Sequence, residues 1–391
     1  MNRFSPTPPA PSLSRILLLL TCGLGAGVAG AAPAAAPAGV NLTAPNIASS
    51  IAHISKFADG NLCLVGSAFD PDGDLVKRGR VIVYNPAAKK IVWQKTVDAP
   101  DELAHTRFVA CRSDGKYTYV GANIDTDTER SRSHTFAYVF KFDEHGKLVA
   151  KHNLVTGSVN SLVYDLDLDG GGVTVVGMDS GETETDETNA IYFAKLDPAL
   201  KAAKVVRLAN GAYSAPATAR LSKDTALLAG NFYPASVSKS ATVEDYAVSK
   251  IGPSRKYQFS VRPQQARPDH IASAITQADE IVSLGYTGNK THLTVVNDDG
   301  KIAQDLEFKS KFCETRALAA DRAVLYAVRK SCDEKQAGFK LVSLSRKDGA
   351  EKVLGGVGGE ARYLFPDEAG LYVVSEKENG SLQLHTIAGG E

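Results

Sequence analysis

Five aspartates, Asp59, Asp114, Asp169, Asp224 and Asp279, stand 55 residues apart in this 391-residue chain, each in the turn between two short apolar runs. A fixed interval of this length marks a repeated supersecondary unit, and it constrains the fold more than any single motif does. The run after each aspartate is strand-like and ends in glycine: "NLCLVG", "KYTYVG", "GVTVVG", "TALLAG" and "EIVSLG", closing at Gly66, Gly121, Gly177, Gly230 and Gly285. A second run follows a polar loop and ends in a turn closed by Lys90, Lys147, Lys201, Lys256 or Lys301. A third run ("IVWQKTV", "LVAKHNLV", "AKVVRLA", "YQFSVRP", "IAQDLEF") and the run before each aspartate complete four strands per unit.

Four antiparallel strands repeated at this spacing predict an all-β, seven-bladed β-propeller. The units are 50–97, 104–155, 160–208, 213–262, 269–308, 312–354 and 359–388, the last two with shorter intervals to Asp321 and Asp367. Only three strands are visible in the final unit ("ARYLFP", "GLYVVSE", "LQLHTIA"), which would leave an edge and an open ring. The segment "GVNLTAP" ahead of the first unit is expected to supply the missing outer strand. Side-chain hydrogen bonding and tolerance of left-handed backbone make the recurring aspartates turn formers.

Residues 1–31 read as a secretory signal: Arg3 and Arg15 precede the apolar stretch "ILLLLTCGLGAGVAG", and Ala29-Gly30-Ala31 has the small-residue pattern of a cleavage site. A lipoprotein reading would use Cys22 in "LLTC", but Thr21 stands where a smaller residue belongs. Residues 32–39 form an Ala/Pro spacer, and 40–391 a single propeller domain, expected to be a periplasmic or secreted monomer with no transmembrane segment after maturation. Removing the signal leaves Cys63, Cys111, Cys313 and Cys332, an even number suited to an oxidising compartment. Cys313 and Cys332 flank a predicted hairpin and are expected to be bonded; pairing of Cys63 with Cys111 stays open against two buried thiols. Lys plus Arg balances Asp plus Glu at 44 each, which argues against a nucleic-acid partner.

The unit "GGVTVVGMDSGETETDETNAIYFAKLDPALKAAKVVRL" resembles the repeats of bacterial secreted β-propellers, in which a "VVG" strand precedes a "FAKLD" strand and a short hairpin. The resemblance spans most of residues 50–388 and implies fold without function. The Trp-Asp ends of WD40 units, the paired glycines of kelch units and the Trp motifs of quinone-dependent dehydrogenases are missing from the repeats.

If the first strand of each blade lines the channel, its start and the second loop of the blade share a face, and the Asp turns share the other. Candidate chemistry belongs on the first. Arg107, Arg316 and Arg362 stand at similar places in first strands, preceded by His105, Glu314 and Glu360, with His270 opening the same strand of blade 5. Together they would bind a carboxylate or phosphate; paired with neighbouring carboxylates they would be inter-blade bridges. Asp70, Asp72 and Asp74 in "DPDGDL" have alternate carboxylates suited to calcium, although Leu75 replaces the turn glycine of an EF-hand loop. "DLDLDG" at Asp165, Asp167 and Asp169 reads instead as a strand entering its Asp turn. No nucleophile elbow, Walker loop or HExxH motif occurs. The reading is an exported module binding a protein or small anionic ligand through its loop-rich channel mouth. The alternative is a propeller hydrolase or lyase with a metal or anion site there.

Overall fold

A computed structural model describes residues 39–387 apart from 44–47, 70–75, 101–103, 127–133, 157–159, 171, 181–188, 209–210, 234–244, 264–270, 288–289, 322–323, 334, 336–337, 356, 358 and 369. The proposed signal and most of the spacer lie outside the described residues, as do Asp70, Asp72, Asp74 and His270.

After the short strand β1 (Val40–Asn41), blade 1 runs β2 to β5 (Ala48–Lys56, Leu62–Phe69, Arg78–Asn85, Lys90–Val97) and blade 2 runs β6 to β9 (His105–Ser113, Thr118–Asp125, Thr135–Phe142, Leu148–Asn153). Blade 3 is β10 to β13 (Asn160–Leu168, Val173–Ser180, Asn189–Leu196, Ala203–Leu208). Blade 4 is β14 to β17 (Ala212–Ser222, Thr225–Tyr233, Asp245–Ile251, Tyr257–Val261). Blade 5 is β18 to β21 (Ala272–Ile275, Ile281–Thr287, Lys290–Val296, Ile302–Lys309), and blade 6 is β22 to β25 (Phe312–Ala320, Val324–Ser331, Phe339–Ser345, Glu351–Val353). In blade 7, β26 to β28 (Glu360–Asp367, Gly370–Glu376, Leu382–Ile387) are completed by β1, which pairs antiparallel with β28. The chain folds as a seven-bladed β-propeller of four-stranded antiparallel sheets, closed by its N-terminal strand as the sequence predicts.

Burial follows position in the blade. Middle strands such as β3 and β4 are buried along almost their whole length, because blades stack on both faces, whereas outer strand β5 alternates exposed and half-buried residues. This is why the runs after each aspartate read as continuous Val, Leu and Tyr, and why alternation shows in the outer strand, the third run, rather than in the second run that forms β4. The closing strand is short but well anchored. Leu42 is buried among Leu62, Leu384 and Tyr372, its N–H donates to Leu382 O at 2.8 Å, and Thr43 Oγ1 accepts the Leu382 N–H at 2.8 Å.

The recurrent glycine has a cause that periodicity does not reveal. In blades 1 to 4 the first strand bulges opposite it: one extra residue (Ala52, Val109, Tyr164 or Ala217) is inserted where Gly66, Gly121, Gly177 or Gly230 pairs. A Cβ on Gly66 would fall 1.8 Å from Ser50 O, and one on Gly177 2.0 Å from Leu162 O.

The aspartates form turns as expected, and two of them, Asp224 and Asp279, hold φ of 61° and 59°. Asp59 accepts the Asn61 N–H at 3.0 Å, and Asp114 accepts those of Lys116 and Tyr117 at 2.8 and 2.7 Å. Others also latch blades together: Asp367 of blade 7 pairs with Lys56 of blade 1 at 2.8 Å, and Asp279 of blade 5 with Arg220 of blade 4.

Both cysteine pairs are at disulfide distance. Cys313 and Cys332 span the start of the blade 6 hairpin, with Cα atoms 5.1 Å apart. Cys63 and Cys111, left open by the sequence, join β3 to β6 across blades 1 and 2, with Cα atoms 6.5 Å apart and both residues fully buried.

Candidate functional site

The first strands of all seven blades line a central channel of about 1540 Å³. At its loop-bearing end the expected arginines are not placed alike. Arg316 and Arg362 are the extra residues of the bulges in β22 and β26, so the backbone itself aims both side chains. Arg107 pairs in register with Asn123, ahead of the bulge at Val109, and is therefore not their equivalent. One inserted residue separates positions that look alike by counting from the strand start.

Glu360 sits between the two bulge arginines. Arg316 of blade 6 bridges to it, Arg362 reaches it at 3.0 Å, and Arg362 Nε donates to Glu376 at 2.7 Å. The Arg316 guanidinium also lies 3.7 Å over the Phe339 ring. His105 Nδ1 accepts the Lys77 N–H at 3.0 Å, tying the blade 1 loop to blade 2. Glu314 lies on β22, in register with Lys330 of β23. Arg107 is exposed, and among the described residues no carboxylate pairs with it. The inter-blade bridge is thus the observed role of Arg316.

The denser polar cluster lies in the half of the channel nearer the Asp turns, the face that the sequence assigns to turn formers. Arg112, near the end of β6, donates through Nη2 to both oxygens of Asp165 on β10, at 3.0 and 2.8 Å, and through Nη1 to Cys111 O at 2.8 Å. Asp165 is almost fully buried, only 1% of its side chain exposed, and Oδ2 also accepts the Leu221 N–H of blade 4 at 2.8 Å. Burial pushes the Asp165 carboxyl up, while Arg112 and that N–H pull it down.

His53 of β2 completes the cluster on the blade 1 side, with Nε2 3.3 Å from Arg112 Nη1. A guanidinium only donates, so Nε2 accepts and the ring proton sits on Nδ1. Burial, reinforced by Arg112, lowers the His53 pKa to about 3. Tyr363 of blade 7 is pushed up to about 12 by burial and stays a neutral phenol. On the blade 4 side, Arg220 donates to Thr276 O at 2.8 Å and pairs with Asp279. Arg346 reaches Glu280 at 3.0 Å.

Asp165, Asp167 and Asp169 are committed to structure, to Arg112, the Lys223 N–H (2.8 Å) and Lys195 (2.5 Å) respectively, in keeping with their reading as a strand entering a turn. Among the described residues no group of three or more His, Cys, Asp or Glu is placed to hold a metal.

No family model and no curated protein sequence matches the chain. Similar solved structures include the β-propeller domain of the trilobed protease from Pyrococcus furiosus, with TM-score 0.47, 9% identity and coverage of 88% of this chain and 93% of that one. The acylaminoacyl peptidase of Pyrococcus horikoshii has TM-score 0.45 and 10% identity over 84% of this chain, which spans about half (49%) of the peptidase. The WD40 domain of SCAP from fission yeast has TM-score 0.43 and 9% identity, covering 86% of this chain and 82% of the domain.

Proposed function

We propose that the chain is an exported binding module that holds a protein partner against its loop-bearing face. The observation that carries this reading is the Arg316–Glu360–Arg362–Glu376 network. An oxyanion clamp needs donors left over for the ligand, and these guanidinium groups already have carboxylates. His105 Nδ1 likewise already accepts a main-chain N–H, which leaves that nitrogen unavailable as a base. The connections between second and third strands are long in blades 1 to 4 (70–77, 126–134, 181–188, 234–244) and short in blade 5 (288–289), and long connections on one face support a binding role for it. Export is supported by the leader-like residues 1–31 and the two cysteine pairs; among the described residues no helix is long and apolar enough to cross a membrane.

The hydrolase or lyase reading would require Asp70, Asp72 and Asp74, with calcium, or Arg107 to converge on substrate at this mouth. The test shortens 70–75 and 234–244 to two-residue turns and compares photo-crosslinked partners of the exported protein. Loss of the partner with unchanged melting supports the rim. Turnover of esters, lactones or uronates that disappears in Arg107→Ala would overturn it.

A further inference from the structure

In the half of the channel nearer the Asp turns, the described residues place charge at every step around the ring, and it comes in opposite pairs. Arg112 is matched by Asp165 at 2.8 Å, Arg220 by Asp279, Arg346 by Glu280 at 3.0 Å and Lys56 by Asp367 at 2.8 Å. Between the pairs stand His53 and Tyr363, both lining the channel.

We propose that this half of the channel binds a neutral, hydroxyl-rich ligand of the oligosaccharide class. An anion would have to take a guanidinium from its carboxylate, and a cation the reverse; either exchange leaves a desolvated charge behind. A hydroxyl donates and accepts at once, so it bridges a guanidinium N–H and the neighbouring carboxylate oxygen without breaking the pair. Arg346 with Glu280 and Lys56 with Asp367 fit this use, since both partners of each pair line the channel and their side chains are 16% and 26%, and 38% and 10%, exposed while bonded to each other. His53 adds an uncharged N–H donor, its Nε2 being engaged by Arg112. Tyr363 adds an aromatic body with a phenol that remains protonated. Asp165 touches no ligand at 1% exposure; it is a positioning residue that fixes Arg112 in the wall. The channel as a whole measures about 1540 Å³, beyond the roughly 300–1000 Å³ of single small-molecule pockets, so linked sugar units bound in the half nearer the Asp turns have room to extend along the bore.

This site is separate from the loop-bearing rim, and each stands or falls alone. The experiment uses the exported chain with calorimetry and saturation-transfer NMR against cellotriose, maltotriose and xylotriose, with galacturonate, citrate and inorganic phosphate as charged comparisons. At least one neutral trisaccharide is expected to bind saturably, and Arg220→Met and Tyr363→Phe each to weaken it tenfold or more. Glu307→Gln on the outer strand of blade 5 should leave binding unchanged. Circular dichroism and melting identify any variant that fails to fold, and the milder Tyr363→Phe keeps the test decisive if Arg220→Met does. The proposal is overturned if no neutral trisaccharide binds, if a charged compound binds tighter than all of them, or if binding survives in the folded variants.

Discussion

Arg112 holds three blades at one point, with Cys111 O and His53 on one side and Asp165 on the other, and Asp165 in turn takes the Leu221 N–H from a fourth. Replacing Arg112 by Ala leaves a buried carboxylate without its counter-charge, and the loss of such a partner costs about 3–5 kcal/mol. Chemical denaturation of Arg112→Ala should show a drop of that size, whereas Arg107→Ala, at an exposed position, should change stability by under about 0.5 kcal/mol. His53 supplies a separate signature in pH. Its folded pKa is lowered from 6.5 to about 3, so below pH 6.5 the unfolded chain takes up a proton that the folded chain refuses. Stability from this residue is complete above pH 6.5 and falls by about 1.4 kcal/mol per pH unit on the way down towards 3. Unfolding midpoints measured from pH 7 to 4 should therefore decline more steeply for the native protein than for His53→Gln. Equal slopes would remove the argument for a neutral, buried imidazole.

At the scale of strands, β1 closes the ring with few contacts, and each one matters. Leu42 is the plug, with 1% exposure among the side chains of blades 1 and 7. Leu42→Ala should cost about 2–5 kcal/mol, as for other buried large-to-small changes, and limited proteolysis should then cut first in blade 7 or just before β2. First cuts elsewhere would place the weak seam of the ring at another junction. The blade count, the strand boundaries and the role of "GVNLTAP" were all legible in the sequence because they depend on local patterning: alternation, turn residues and a period. Cys313 and Cys332 belong to one hairpin and were legible for the same reason. Cys63 and Cys111, and the Arg112–Asp165 pair, lie on different blades, and which side chains meet there depends on how neighbouring sheets stack. No local pattern encodes that. The bulges hid in a similar way: a single inserted residue moved Arg107 out of equivalence with Arg316 and Arg362 while leaving the apolar alternation intact.

For the molecule as a whole, export is the property most directly checked. Intact-mass measurement of protein recovered outside the cytoplasm should show loss of residues up to about Ala31 and no lipid on Cys22; a mass that retains Met1 to Ala31 would refute the leader assignment. The junctions around the ring share a common device. Blades 1 and 2 are joined by Ser55 to Cys111 O at 2.8 Å and by the cysteine pair, 4 and 5 by Arg220–Asp279, 5 and 6 by Glu280–Arg346, 6 and 7 by Arg316–Glu360, and 7 and 1 by Lys56–Asp367. A ring tied at successive joints distributes strain, so single surface changes on outer strands should be tolerated better than changes at these joints.

Closure by β1 also sets a clock on biogenesis. Asn41 meets Gln383 across 342 positions of chain, so the first part of the propeller to leave the ribosome is among the last to find its neighbour. At roughly 5–20 residues per second of synthesis, that wait is on the order of 20–70 s. Throughout it, β2 to β25 can stack into blades, but the seam stays open and the β28 edge does not yet exist. Protease resistance of pulse-labelled chains should therefore rise in two steps, with the second appearing only after residue 387 has emerged.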